Sequence, residues 1–139
     1  VIDRVFRSLD AKDVKLRDET QGLEVFSDPM LEKVFYNLMD NTLRHSGGAK
    51  NIKVRYRTRG EDLAIVFEDD GRGVPEENKD LIFERGTEKR AGFGLYLARE
   101  ILGITGMTIK ESGISGEGAR FEILVPRGGH RRKDSTGRT

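Results

Sequence analysis

Over residues 31–45 apolar side chains recur at helical spacing. Leu31, Val34, Phe35, Leu38 and Thr42 fall on one stripe, which predicts an amphipathic helix. Ser27-Asp28-Pro29 supplies its start, with Asp28 as N-cap and Pro29 at the first helical position, and Gly47-Gly48 supplies its end. The period then changes. Ile52, Val54, Tyr56 and Thr58 alternate with Lys53, Arg55 and Arg57, the pattern of a strand with one wet face. Arg59-Gly60-Glu61-Asp62 turns the chain into a second strand over 63–69, more apolar and so more central. Upstream, 14–17 and 23–26 are short candidate strands separated by a turn-prone 18–22. Downstream, a polar loop carries a short helix around 76–83. A longer helix from about Gly94 to Leu102 buries Leu95, Ala98, Ile101 and Leu102. The end reads as a hairpin: 107–112, a Gly-rich turn, then Phe121, Ile123 and Val125 alternating on one face. These elements predict an α+β sandwich of mostly antiparallel strands with helices on one face of the sheet.

Composition narrows the function classes. A chain of 139 residues fits one domain with one core. Its hydrophobic fraction of 35% is low, but the net charge is only +1, and disordered chains couple low hydrophobicity to high net charge. With no Cys, a disulfide scaffold and cysteine-based metal or redox chemistry are excluded. No apolar run approaches the roughly 20 residues of a membrane-spanning helix. The charge is unevenly placed: 127–139 carries a net +4, leaving about −3 on 1–126. That basic tail has almost no apolar side chain to bury and is expected to be disordered; a solvated tail is favoured over a nucleic-acid contact. The 17 Gly cluster at 71–73, 92–94 and 113–118 rather than spreading as a linker.

Three segments carry candidate chemistry. On the first helix Asn37, Asn41 and Arg44 fall within about a 60° sector beside the apolar stripe. This polar edge is either a solvated face or a site for a hydrated cation and phosphates, since carboxamide oxygens are neutral hard ligands suited to Mg²⁺. Glu68-Asp69-Asp70-Gly71-Arg72-Gly73 leaves the apolar strand, and could be only a turn. However, Asp69 ends a half-buried strand, where a carboxylate needs donors such as an exocyclic amine. Gly71 and Gly73 would let backbone approach a flat base. Gly92-Phe93-Gly94-Leu95 opens the last long helix, whose free N–H groups favour phosphate. It is neither a Walker loop nor a dinucleotide fingerprint. His45, at a helix end, reads by default as a capping or surface residue.

Taken in order, these segments resemble the ATP-binding catalytic domain of sensor histidine kinases, in the wider gyrase, Hsp90, histidine kinase and MutL superfamily. Asn41 precedes Asp69 by 28 residues, Phe83 follows by 14 and Gly92 by 9 more. Asn37-Leu38-Met39-Asp40-Asn41-Thr42-Leu43-Arg44-His45-Ser46 is similar to the N box, and Asp69-Asp70-Gly71-Arg72-Gly73 to the first glycine box. Ile82-Phe83-Glu84-Arg85 resembles the F box, and Gly92-Phe93-Gly94-Leu95-Tyr96-Leu97 the second glycine box. Gly118-Ala119-Arg120-Phe121 resembles the Gly-Thr-x-Phe of the final strand.

The resemblance implies a Bergerat ATP-binding fold, a two-layer α/β sandwich with a mixed, mostly antiparallel sheet, over 14–126. It implies Mg²⁺ and ATP as cofactors. Asp69 would take the adenine amino group, with Gly71 and Gly73 shaping the base pocket and Phe83 in the F box beside it. Asn41, helped by Asn37, would hold Mg²⁺. Arg44 and His45 would lie near the phosphates, Arg85 would reach the γ-phosphate, and Gly92, Phe93, Gly94 and Leu95 would cradle the triphosphate. The ATP-hydrolysing branches and the anti-sigma serine kinases carry a Glu base where this chain has Asn37, and Asn cannot deprotonate water or a hydroxyl. That favours the histidine kinase branch.

The implied activity is transfer of the γ-phosphoryl group of ATP to a histidine on a separate dimerisation domain in two-component signalling. The implied partners are that phosphoacceptor domain and, through the parent protein, a response regulator; no nucleic acid is expected, and the fragment is expected to be a cytoplasmic monomer. Residues 1–13 are expected to be a linker remnant from the dimerisation domain. The alternative is a binding module of the same fold, catalytically degenerate and acting by partner contact. Three departures from the family pattern bear on it. The lid, with only 87–91 between Gly86 and Gly92, is short. Ala119 stands where Thr or Ser is usual, and Thr42 replaces a usual Ala.

Overall fold

The computed structural model describes residues 2–7, 14–20, 23–25, 31–84, 94–126 and 130–132. Its centre is a five-stranded sheet. Strand β1 (Lys15–Asp18) runs parallel to β3 (Asn51–Arg59), which pairs antiparallel with β4 (Asp62–Asp69). On the far side of β4 lies β6 (Arg120–Val125), and β5 (Thr108–Glu111) closes that edge, both pairings antiparallel. The sheet is therefore mixed and mostly antiparallel, as expected. Helices α2 (Leu31–His45) and α3 (Gly94–Ile104) pack against each other over one face.

Alternation decides which face is covered. Ile52 and Val54, then Leu63, Ile65 and Phe67, then Phe121, Ile123 and Val125 are buried and point to the helices. They meet Val34, Phe35, Leu38 and Met39 of α2 and Leu95, Ala98, Ile101 and Leu102 of α3 in one cluster. On the other face Arg55 pairs with Glu68 (3.0 Å) and Arg57 with Glu122 (2.6 Å). Ala64 and Val66 are also buried on that face, where long charged side chains can cover small apolar neighbours with their stems.

The ends differ from expectation. Residues 1–13 were expected to be linker, yet a short helix α1 (Ile2–Arg7) sits against α2, with Ile2 buried in the core and Phe6 packed beside it. The i,i+4 spacing of Ile2 and Phe6 gives this helix one apolar face. Residues 127–139 were expected to be disordered, yet β7 (His130–Arg132) pairs antiparallel with β2 (Leu23–Val25). Backbone pairing does not require apolar side chains, so composition gave no sign of it. The candidate strands at 14–17 and 23–26 thus belong to two different sheets. The predicted cap at Asp28 and Pro29 lies outside the described residues, whereas Gly47 and Gly48, with φ of 76° and 103°, do end α2. The short helix around 76–83 is two 3₁₀ turns, Glu76–Asn78 and Leu81–Phe83. No helix among the described residues is long and apolar enough to cross a membrane.

Candidate nucleotide site

A cavity of about 530 Å³ opens at the end of the central strand β4. Its polar walls include Asn41, Ser46, Asp69, Asn78 and Ser115, and its apolar walls Val74, Ile82, Leu95 and Ala119. Such a lining, with polar groups converging on an apolar wall, suits a small flat ligand that carries polar atoms at its edge.

Asp69 occupies the floor and is 9% exposed. Its Oδ1 accepts hydrogen bonds from the backbone N–H of Gly71 (2.9 Å) and of Ala119 (3.2 Å). Its Oδ2 accepts one from the Thr42 hydroxyl (3.0 Å), which is buried on α2. A carboxylate offers about four acceptor positions, so one remains on Oδ2. The neighbouring Asp70 plays a different part. It accepts bonds from Lys50 N–H (2.8 Å), Asn51 N–H (3.0 Å) and the Asn51 side chain (2.8 Å), tying the loop to the start of β3. Burial alone would raise the Asp70 carboxyl, but these donors together hold it below its ordinary value.

The glycines serve the protein's own packing. A Cβ at Gly71 would lie 2.4 Å from the Ser46 carbonyl oxygen, and Gly71 is not part of the cavity wall. Gly73 does line the cavity, with φ of 74°, but a Cβ there would meet the carbonyls of Gly118 and Ile114 at 2.9 and 3.0 Å. Both glycines thus admit close approach of neighbouring backbone, and of the two Gly73 also borders the cavity.

Of the other expected site residues, Asn41, Leu95 and Asp69 line one cavity. Gly94 begins α3 beside Asn37, whose Cβ is 3.8 Å from where a Gly94 Cβ would be. The Asn37 Nδ2 is buried without a hydrogen-bond partner. Phe83 is instead a core residue, 4% exposed and edge-to-face on Phe121 with centroids 6.1 Å apart. Arg44 lies away from the cavity wall, and its Nε donates to both oxygens of Asp40 at 3.0 and 3.1 Å. That hydrogen bond raises the guanidinium further above its ordinary value. Arg85, Gly92, Phe93 and the His45 side chain lie outside the described residues, as does the lid.

Sequence reasoning missed Thr42, Ser46 and Asn78 as site residues. Ser46 closes the N box and its carbonyl accepts the Arg72 N–H (2.8 Å), a contact that only the folded loop reveals. The donor set can accommodate a cation only in company. No group of three acidic or histidine side chains exists among the described residues, so a lone Mg²⁺ would find too little charge. The carboxamides of Asn41 and Asn37 fit one that arrives with phosphates, and no hydrogen bond holds the buried Asn37 Nδ2.

Fold and cavity define a two-layer α+β domain with a small-ligand cavity at the end of its central strand. The chain belongs to the histidine kinase-, DNA gyrase B- and HSP90-like ATPase family, whose model matches residues 27–129. It is 36% identical over 118 residues to the alginate biosynthesis sensor protein KinB of Pseudomonas aeruginosa, covering 81% of this chain and 20% of that protein. It is 30% identical over 115 residues to the signal transduction histidine-protein kinase ArlS of Staphylococcus aureus, covering 76% of this chain and 26% of that protein. The matched part of the chain thus spans about a fifth to a quarter of the length of these relatives. Among solved structures, the mycobacterial sensor histidine kinase MprB matches with a TM-score of 0.77 at 21% identity, over 90% of this chain and 91% of that one. ShkA, solved full-length in complex with AMPPNP, matches with a TM-score of 0.75 at 17% identity, over 90% of this chain and 29% of that one. These structures share the fold.

Proposed function

We propose that this chain is the Mg²⁺–ATP-binding catalytic module of a two-component sensor histidine kinase. The observation that carries the reading is the Asp69 carboxylate, buried, ordered by three protein donors and left with one acceptor position at a cavity. An adenine amino group fits that position, because an exocyclic amine donates where a carbonyl would repel. Leu95, Ile82 and Val74 would flank the base.

The phosphates would then extend toward Asn41 and the first turn of α3, where unpaired N–H groups favour anions. Asn41 and Asn37 would hold Mg²⁺, which supplies charge neutralisation to the triphosphate. Arg85, Gly92 and Phe93 are assigned to the phosphates by motif alone. Phosphoryl transfer needs chiefly such positioning and neutralisation. Asn37 stands beside the helix start and cannot take a proton, so the acceptor must bring its own nucleophile. An imidazole does, and a histidine on the dimerisation domain of the parent protein is the proposed acceptor, with a response regulator downstream.

The test is a calorimetric titration of Mg²⁺–ATP into wild type and Asp69→Asn, followed by phosphotransfer to a supplied histidine-bearing domain. Binding by wild type, its loss in Asp69→Asn, and acid-labile phosphate on the acceptor are expected. No binding by wild type at millimolar ATP would sink the reading. Equal labelling by wild type and Asn41→Ala would sink the Mg²⁺ assignment.

A further inference from the structure

The Thr42 hydroxyl donates to Asp69 Oδ2 across 27 residues of sequence, and both groups are buried. The two oxygens of Asp69 are not equivalent. Oδ1 is filled by two backbone N–H groups, fixed by the turn after β4 and by the chain entering β6. Oδ2 has one side-chain donor, and the remaining acceptor position belongs to it. From this asymmetry, and resting on the nucleotide reading above, we propose that Thr42 is a positioning residue for base recognition. Its hydroxyl occupies one lone pair of Oδ2 and aims the other at the exocyclic amine of an adenine.

Three features favour this. Thr42 is 1% exposed on a helix packed against α3, so its β-branched side chain is held in few rotamers. A helical Thr hydroxyl can bond back to its own helix, yet here it reaches across to the strand end. Finally, Ala119 gives Asp69 only its backbone N–H, so Thr42 is the only side-chain donor to this carboxylate among the described residues. Hydroxyl and carboxylate therefore act on the base as one unit, with only the carboxylate in contact.

The experiment compares two ligands that differ by one amine. Mg²⁺–ATP and the triphosphate of purine riboside, which lacks the 6-amino group, are titrated into wild type, Thr42→Val, Thr42→Ser and Asp69→Asn. Thr42→Val keeps the shape and removes the donor. It is expected to weaken ATP about tenfold, the scale of one oriented hydrogen bond. It should change the affinity for the purine riboside nucleotide by less than about twofold, and Thr42→Ser should restore ATP binding. Equal weakening of both ligands by Thr42→Val would assign Thr42 to packing alone and overturn the proposal. So would ATP affinity at the wild-type level in Thr42→Val while Asp69→Asn binds poorly. If Asp69→Asn itself binds ATP like wild type, the base assignment falls first, and this proposal with it. Should Thr42→Val not fold, Thr42→Ala, smaller and better suited to a helix, gives the same comparison.

Discussion

Lys79, at the end of the first 3₁₀ turn, forms a buried ion pair with Glu111 at the end of β5. The Lys79 Nζ also donates to the Gly113 carbonyl (3.0 Å), and Glu111 Oε2 accepts the N–H groups of Gly113 (3.0 Å) and Arg120 (2.9 Å). This cluster joins the two segments that wall the cavity, since Asn78 is the next residue on one side and Ser115 and Gly116 lie on the other. A buried pair is strongly destabilising to break from one side, because the other charge is left without a partner. Lys79→Met should therefore cost about 3 kcal/mol of stability, at the low end of such losses because two backbone donors still serve Glu111. The double variant Lys79→Met/Glu111→Gln removes both charges and keeps an acceptor for those donors. It should recover more than half of the loss, read from urea midpoints; no recovery would mean that packing rather than charge holds the walls together.

Close approach makes a second prediction at two glycines. A Cβ on Gly118 would lie 2.1 Å from the Asp69 carbonyl oxygen, and φ there is 130°. At Gly71 the obstacle is the Ser46 backbone at 2.4 Å. Gly118→Ala and Gly71→Ala should each destabilise by about 2 kcal/mol or more, because backbone on both sides must move. Gly103, inside α3, meets nothing within 4 Å of an added Cβ. Gly103→Ala should instead stabilise by about 0.5 kcal/mol through helix propensity. Thermal midpoints that fall in all three variants would contradict this division.

Much of this architecture was legible because it rests on local periodicity. The stripe Val34, Phe35, Leu38 and the alternation of β3 and β6 are statements about one element each, and burial agrees with them. What was not legible depended on distant partners. Nothing local decides that β1 lies parallel to β3 while β2 seeks residues 130–132. The site divided along the same line. Asp69, Asn41 and Leu95 follow from the order of the motifs, and they line one cavity. Thr42 was hidden because helical spacing placed it correctly on the buried stripe, while its hydroxyl's acceptor lies 27 residues on. Ala119 and Thr42 read as two separate departures from the family pattern; around Asp69 they are neighbours, and the hydroxyl comes from the helix. Phe83 belongs to a motif associated with nucleotide, but its ring is consumed by Phe121.

The outer face of the sheet sets an acid limit. Glu122 is buried there, and its carboxyl is held below the ordinary 4.5, first by the Ser112 hydroxyl, against the opposing effect of burial, and then by Arg57, with Lys110 adding a weaker attraction. A carboxyl harder to protonate when folded contributes its full stabilisation above the unfolded value and loses it as pH falls through the lower folded one. Stability should therefore decline below about pH 4.5 in part through Glu122. Ser112→Ala removes the largest favourable cause and should make that part of the decline shallower, while lowering stability at neutral pH. Urea midpoints from about pH 3 to 6 for both proteins test this. Parallel curves would remove Glu122 from the account and leave other carboxyls, Asp70 among them, as the source.

Asn37 sets stability against binding. Its Nδ2 is buried and has no hydrogen-bond partner, and it sits in the middle of α2, where Asn is a poor helix former. An unsatisfied buried donor and a weak propensity both count against the nucleotide-free fold, so Asn37→Ala should raise its stability by about 1 kcal/mol. The same side chain is assigned to Mg²⁺ and the phosphates, where its loss should weaken Mg²⁺–ATP about tenfold or more. Ligand that binds only the folded state raises stability in proportion to the logarithm of its concentration over Kd. The two proteins should therefore change places. Asn37→Ala should melt higher without ligand, and wild type should gain more from saturating Mg²⁺–ATP. If Asn37→Ala melts lower in both conditions, the carboxamide supports the fold. If it melts higher in both by the same margin, Asn37 takes no part in holding the nucleotide.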